Sequence, residues 1–229
     1  MADPRYHHGN LRAALLEAGV TLARAGGPAR LQVRELAAAE GVSPSAVYRH
    51  FPDLAHLRAD VARLAREALA QEMLTAAAAV PSAHAAGERA IRRFRAIGAA
   101  YLAFAEREPH LFDTAFMATE APPSCEDAPA AWEVLLEALQ QLVVTGEMAP
   151  ARLTDAPLIA WSSVHGAATM LARRLLPAEV AEGEVRTAVL DGVLRALGVR
   201  APDSWAPNTP SAVPAASGSA PLASRATLQ

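Results

Sequence analysis

The chain has 229 residues, 52% of them apolar and 20% charged, which fits one large or two smaller folded domains and excludes disorder throughout. Its longest uninterrupted apolar stretch, Ala96 to Ala105, is about half the roughly 18 residues that a membrane span needs. The net charge is only −3, and a single cysteine, Cys125, excludes an internal disulfide and any multi-cysteine metal centre.

Alanine fills 56 positions and aromatic residues only 5%, so local propensity favours helix and disfavours strand almost everywhere. An all-α chain of about nine helices is expected. The N-terminal stretch Met1 to Asn10 carries Asp3, Arg5, His7 and His8 and lacks the apolar run of a secretory signal, so a cytoplasmic protein with no membrane partner is expected. Asn10 is placed to cap a first helix in which Leu11, Leu15, Ala18 and Leu22 share a face. Gly26-Gly27-Pro28 ends it. Val33, Leu36 and Ala37 begin a short second helix that stops at Gly41, and Ser43 caps a third of about two turns with Pro44 at its first position, where the missing N–H costs nothing. Pro52 interrupts that helix, Asp53 offers the next cap, and Leu57, Val61, Leu64 and Ala68 start a long fourth helix.

Two short helices joined by a tight glycine turn, with a third behind them, form a helix-turn-helix, whose second helix is of a size to put side chains against base edges in a major groove. Charge agrees, since residues 1–66 carry a balance of +3 and the remainder −6. Further along, Ile91, Phe94, Gly98, Tyr101 and Ala105 form one apolar stripe, and Trp132, Leu135, Leu136, Leu139, Leu142 and Val143 another. The last two helices, Leu158 to Leu176 and Val185 to Leu197, are apolar on more than one face, so a second subunit is expected to cover them. Residues 201–229, with five prolines among alanine and serine, have the composition of a disordered tail.

The run from Arg5-Tyr6-His7-His8-Gly9-Asn10-Leu11-Arg12 through Arg34-Glu35-Leu36-Ala37, Gly41-Val42-Ser43 and Val47-Tyr48-Arg49-His50-Phe51-Pro52-Asp53 is similar, in order and spacing, to the DNA-binding domain of TetR-family transcriptional regulators. Trp161-x-x-x-His165-Gly166 resembles the motif of the WHG-type C-terminal domain in that family, and Tyr101 to Ala105 followed by Pro109-His110-Leu111-Phe112 fits the same subgroup. The resemblance implies a homodimer that binds a near-palindromic double-stranded operator and releases it when a small apolar or amphipathic effector occupies the C-terminal domain, so that a repressor is expected. It divides the chain into an arm and helix-turn-helix domain at 1–52, a helical ligand-binding and dimerisation domain at 53–198, and the tail at 199–229.

Position by position, Ser43, Pro44 and Ser45 would open the recognition helix and meet phosphate, and Arg49 is placed to pair with guanine. Tyr48 and His50 match family positions that contact phosphate; alternatively Tyr48 packs on the first helix and His50 caps a helix end. Val47 and Phe51 read as core. Arg5 would reach a minor groove or remain solvated. Leu54 stands where the family commonly has lysine, and Gln32 where a serine or threonine cap is usual. His7 and His8, adjacent and without a third ligand at a recognised spacing, read as arm residues, and no metal or cofactor is expected. Tyr101, Phe104, Phe112, Phe116, Trp161 and His165 either line a ligand pocket or form aromatic core. Without paired carboxylates, a Gly-rich phosphate loop or a triad, an enzyme is the weaker alternative, as is a protein-binding helical adaptor that never meets DNA.

Overall fold

A computed structural model describes residues 11–116 and 130–200. Asn10, Arg5, His7, His8, Cys125 and the tail beyond Arg200 lie outside the described residues. Among the described residues there are nine α-helices and no strand: α1 (Leu11–Gly26), α2 (Val33–Ala39), α3 (Pro44–Tyr48), α4 (Leu54–Ala78), α5 (Ala86–Arg107), α6 (Pro109–Ala115), α7 (Ala130–Val144), α8 (Ala156–Ala172) and α9 (Glu182–Ala196).

The N-terminal helices follow their local signals. Gly27, in the left-handed region, ends α1, and Gly41 at φ +65° makes the turn between α2 and α3, a conformation that costs any L side chain about 1–2 kcal/mol. Leu15, Leu36, Val47, Phe51, Leu57 and Val61 close a small core under these helices, each no more than 2% exposed. Arg12 of α1 pairs with Asp60 of α4 and lies 5.1 Å from the Phe51 ring, tying α1 to α4.

Helix α4, 25 residues and about 37 Å long, carries the chain from this small core into the larger helical body. Its buried line is Leu57, Val61, Ala65, Leu69, Met73 and Ala77; Leu64 is only half-buried and Ala68 exposed, which corrects the expected stripe. Helix α5 is the centre of the body and packs against α4, α6, α7, α8 and α9, which is why Ile97, Leu102 and Phe104 are buried on it beside the expected Ile91, Phe94, Tyr101 and Ala105. Its residue Gly98 is the point of close approach to α9, where an added Cβ would meet Leu190 at 2.6 Å. Two ion pairs, Arg95 with Asp191 and Arg186 with Glu106, clasp α9 to α5.

The short helix α6 is held from three sides. Arg24 near the end of α1 pairs with Glu108 at 3.0 Å, Arg173 beyond α8 pairs with Asp113 at 3.1 Å, and the Arg66 guanidinium of α4 donates to the Ala115 carbonyl at 2.9 Å. Helix α8 ends at Ala172, with Arg174 at φ 52°, so the expected helix to Leu176 stops about one turn early, well before Pro177.

Candidate nucleic-acid interface and ligand cavity

Helix α3 is only five residues long, shorter than expected, and its Ala46 and Val47 are buried, so its remaining side chains are forced outward. Ser43, Pro44, Ser45, Tyr48, Arg49 and His50 are all exposed and contiguous along this helix and its ends. Val47 and Phe51 lie in the core as expected, at 1% and 2% exposure. Tyr48 is 53% exposed, which places it outward rather than packed on α1. Ser43 occupies the N-cap position, but its hydroxyl makes no cap hydrogen bond and instead lies 2.8 Å from the Ser45 hydroxyl. The capping role expected of it is therefore absent, and both hydroxyls stay at the surface. Arg49 itself is the C-cap residue of α3, its backbone N–H bonded within the helix and its guanidinium free.

Among the described residues of 11–52, Arg12, Arg24 and Arg30 have carboxylate partners, whereas Arg34 and Arg49 have none. Arg34, exposed on the first turn of α2, joins the surface cations although sequence reasoning gave it no role. The neighbouring Glu35 was the available signal, since it is taken by Arg30 at 2.6 Å. Beyond α3, Asp53 caps α4, its carboxylate accepting the His56 backbone N–H at 2.9 Å and lying 2.9 Å from His56 Nδ1. The hydrogen bond from the His56 side chain, helped by the backbone one, holds the Asp53 carboxyl below its usual 3.8.

In the body, Tyr101 Oη and His165 Nδ1 lie 2.7 Å apart and share a hydrogen bond whose direction follows the imidazole tautomer. Trp161 stacks on His165 with ring centroids 5.8 Å apart and planes within 5°, as a four-residue spacing on one helix allows. From α6, Phe112 packs edge-on to Tyr101 at 5.8 Å, and Phe116, just past its end, packs on His165 at 4.8 Å. Trp132 of α7 adds a further ring against Trp161 at 5.4 Å. Burial pushes the Tyr101 phenol well above its ordinary range and the His165 imidazole below its usual 6.5, so both groups are neutral near pH 7.

Beside these rings is a cavity of about 40 Å³. Tyr101, Trp161 and His165 line it together with apolar side chains such as Met73, Leu135 and Val193. Phe112 and Phe116 buttress the cluster from α6 without lining the cavity, and Phe104, 1% exposed, lies in the core with the Arg107 guanidinium 5.9 Å from its ring. Five of the six aromatic positions thus come together and Phe104 stands apart. On the far side of α8, Leu158, Ser162, Gly166 and Met170 form an exposed row at four-residue spacing, with Leu158 64% and Met170 40% exposed. Outside its own helix, no described residue has an atom within 4 Å of where a Cβ on Gly166 would stand. Among the described residues there is no cluster of metal-ligating side chains, and no helix is long and apolar enough to cross a membrane.

Residues 15–61 match the profile of the bacterial regulatory proteins of the tetR family, and residues 94–197, which include Trp161, His165 and Gly166, match that of the tetracyclin repressor-like C-terminal domain. Among solved structures, a protein of unknown function from Rhodococcus sp. RHA1 is 28% identical, superimposes with a TM-score of 0.70, and is matched over 85% of this chain and 99% of its own. The TetR-family regulator PfmR from Thermus thermophilus is 22% identical, with a TM-score of 0.53 over 79% of this chain and 97% of its own. A TetR-family regulator from Marinobacter aquaeolei is 16% identical, with a TM-score of 0.61 over 83% and 97%. At these identities the last two share the fold. None of the curated proteins matches this chain.

Proposed function

Because the chain belongs to the TetR family of DNA-binding transcriptional regulators, we propose that it is a ligand-responsive repressor that holds a near-palindromic operator as a homodimer and leaves it when a small apolar or amphipathic molecule enters the cavity beside Tyr101 and His165. The observation that carries this reading is the outward set on α3. Ala46, Val47 and Phe51 anchor the helix, and Ser43, Pro44, Ser45, Tyr48, Arg49 and His50 are left to solvent. Hydroxyls at Ser43, Ser45 and Tyr48 suit phosphate oxygens, and the unpaired Arg49 guanidinium suits guanine O6 and N7.

The exposed row on α8 supports dimerisation. An exposed leucine and methionine flank Ser162 and Gly166, whose small side chains let another helix come near. For release, the route runs through α6 as well as α4. Phe112 and Phe116 rest on Tyr101 and His165, while the same helix is tied to α1 by Arg24 and Glu108 and to α4 by Arg66. A ligand that parts these rings shifts α6 and with it α1 and α4, of which α1 packs on α2, the helix against which α3 rests. It shifts the equilibrium only as far as it prefers the displaced arrangement.

Selection from a random-sequence duplex pool tests the reading. The protein should enrich a near-palindrome, with affinity falling steeply as salt rises. Tyr48→Phe should weaken selected and scrambled duplexes alike, whereas Arg49→Ala should lose about 1–3 kcal/mol of discrimination at one base pair per half-site. Failure to enrich any duplex, or binding indifferent to salt, removes the proposal.

A further inference from the structure

Sharing Ile97 with the aromatic cavity is a second, larger recess, a groove walled by α4, α5 and α7 with a volume of about 220 Å³. Its floor is apolar: Leu74 and Ala77 from α4, Ala90 and Ile97 from α5, Val134 and Ala138 from α7. Along one wall stand Arg89 and Arg93, four residues apart and so on one face of α5. Neither has a carboxylate or a side-chain hydrogen-bond partner among the described residues. Their neighbours on the same helix differ, since Arg92 pairs with Glu88 and Arg95 with Asp191. Glu137 of α7 also lines the groove but bonds to neither arginine, so the two guanidinium groups and one carboxylate leave the recess with an excess of one positive charge.

Two adjacent guanidinium forks are matched to a planar carboxylate, which they bind by paired N–H donors. An apolar floor leading away from them is matched to a hydrocarbon. We propose that this groove is a binding site for a straight-chain amphipathic acid, its carboxylate on Arg89 and Arg93 and its tail laid along the floor toward Ile97. A neutral alcohol of the same chain would have only the floor, and a cationic amphiphile would find the arginines repelling it. The site is separate from the aromatic cavity and does not depend on it. Ile97 lines both and is 3% exposed, so a tail that presses on this side chain presses on the wall of the cavity.

Calorimetry on the full-length protein with decanoate, decan-1-ol and decyltrimethylammonium at low ionic strength tests the proposal. Decanoate should bind saturably, one per chain, at least tenfold more tightly than either of the other two. The double variant Arg89→Gln/Arg93→Gln should weaken decanoate at least tenfold and leave decan-1-ol within about twofold, and Glu137→Gln should tighten decanoate. Since both arginines lack partners, the double variant should melt at the wild-type temperature. No saturable decanoate binding, equal binding of acid and alcohol, or an unchanged double variant would each overturn the proposal. Trp161→Ala separates the two recesses. If it abolishes decanoate binding while the arginine pair does not matter, the acid sits in the aromatic cavity, and the groove proposal fails while the effector reading stands.

Discussion

The imidazole of His165 is surrounded by rings from three helices, Tyr101 on α5, Phe112 and Phe116 at α6 and Trp161 on its own helix, with Arg95 lining the same cavity but paired to Asp191. Such surroundings disfavour a charge, and burial is the cause of its lowered pKa. The folded chain therefore prefers the neutral ring. Its contribution to stability is fully present above the unfolded value of 6.5 and is lost as pH falls from there through the lower folded value. Thermal melts between pH 8 and pH 5 should show wild type losing more stability on acidification than His165→Gln. Parallel curves for the two proteins would mean that the ring is already accessible to a proton. Tyr101 adds no pH dependence in that window, because burial raises its phenol further from titration.

At the scale of the helix, α4 depends on its first turn. The Asp53 carboxylate accepts the His56 N–H that would otherwise lack a partner there, so Asp53→Ala should lower the midpoint of urea unfolding and Asp53→Ser should recover most of the loss. Since the Asp53 carboxyl titrates below its usual 3.8, the cap is intact above that pH and its contribution disappears as pH falls through the folded value. Equal midpoints for wild type and Asp53→Ala at pH 7 would contradict the assignment. This cap, Pro44 at the first position of α3 and Gly41 in the left-handed turn were all legible from single residues, because each follows a rule that acts over four residues or fewer. What the sequence did not disclose depends on partners far along the chain. A row of residues four apart drifts around a helix by about 40° per step, so the buried line from Leu57 to Ala77 leaves the straighter stripe of Leu57, Val61, Leu64 and Ala68, as α4 packs on α1, α5, α6 and α7. The meeting of Tyr101 with His165, 64 residues later, was open to a resemblance but not to periodicity. Phe104, three residues past Tyr101, stands with the pocket-or-core set because aromatic character alone does not say which side of a central helix a ring occupies.

For the whole molecule, the row Leu158, Ser162, Gly166 and Met170 is the surface on which dimerisation is staked. Gly166→Arg places a long charged side chain where no described residue outside its own helix has an atom within 4 Å, so the fold should survive while a helix from a second subunit is kept away. Light scattering at micromolar concentration should find wild type dimeric and Gly166→Arg monomeric, with operator affinity lost because one recognition helix cannot span two half-sites about 34 Å apart. A Gly166→Arg protein that remains dimeric would move the interface to another face. The cavity beside His165 has a different consequence for the molecule. At about 40 Å³ it has room for a few water molecules, so on the ligand-responsive reading proposed above an effector-sized molecule would have to open its own space by parting these rings. The resting subunit would then be seldom in a shape that receives a guest, and the apparent dissociation constant would exceed the intrinsic one by the inverse of that occupancy. A regulator built this way would stay silent against a low background and answer only once its signal had accumulated.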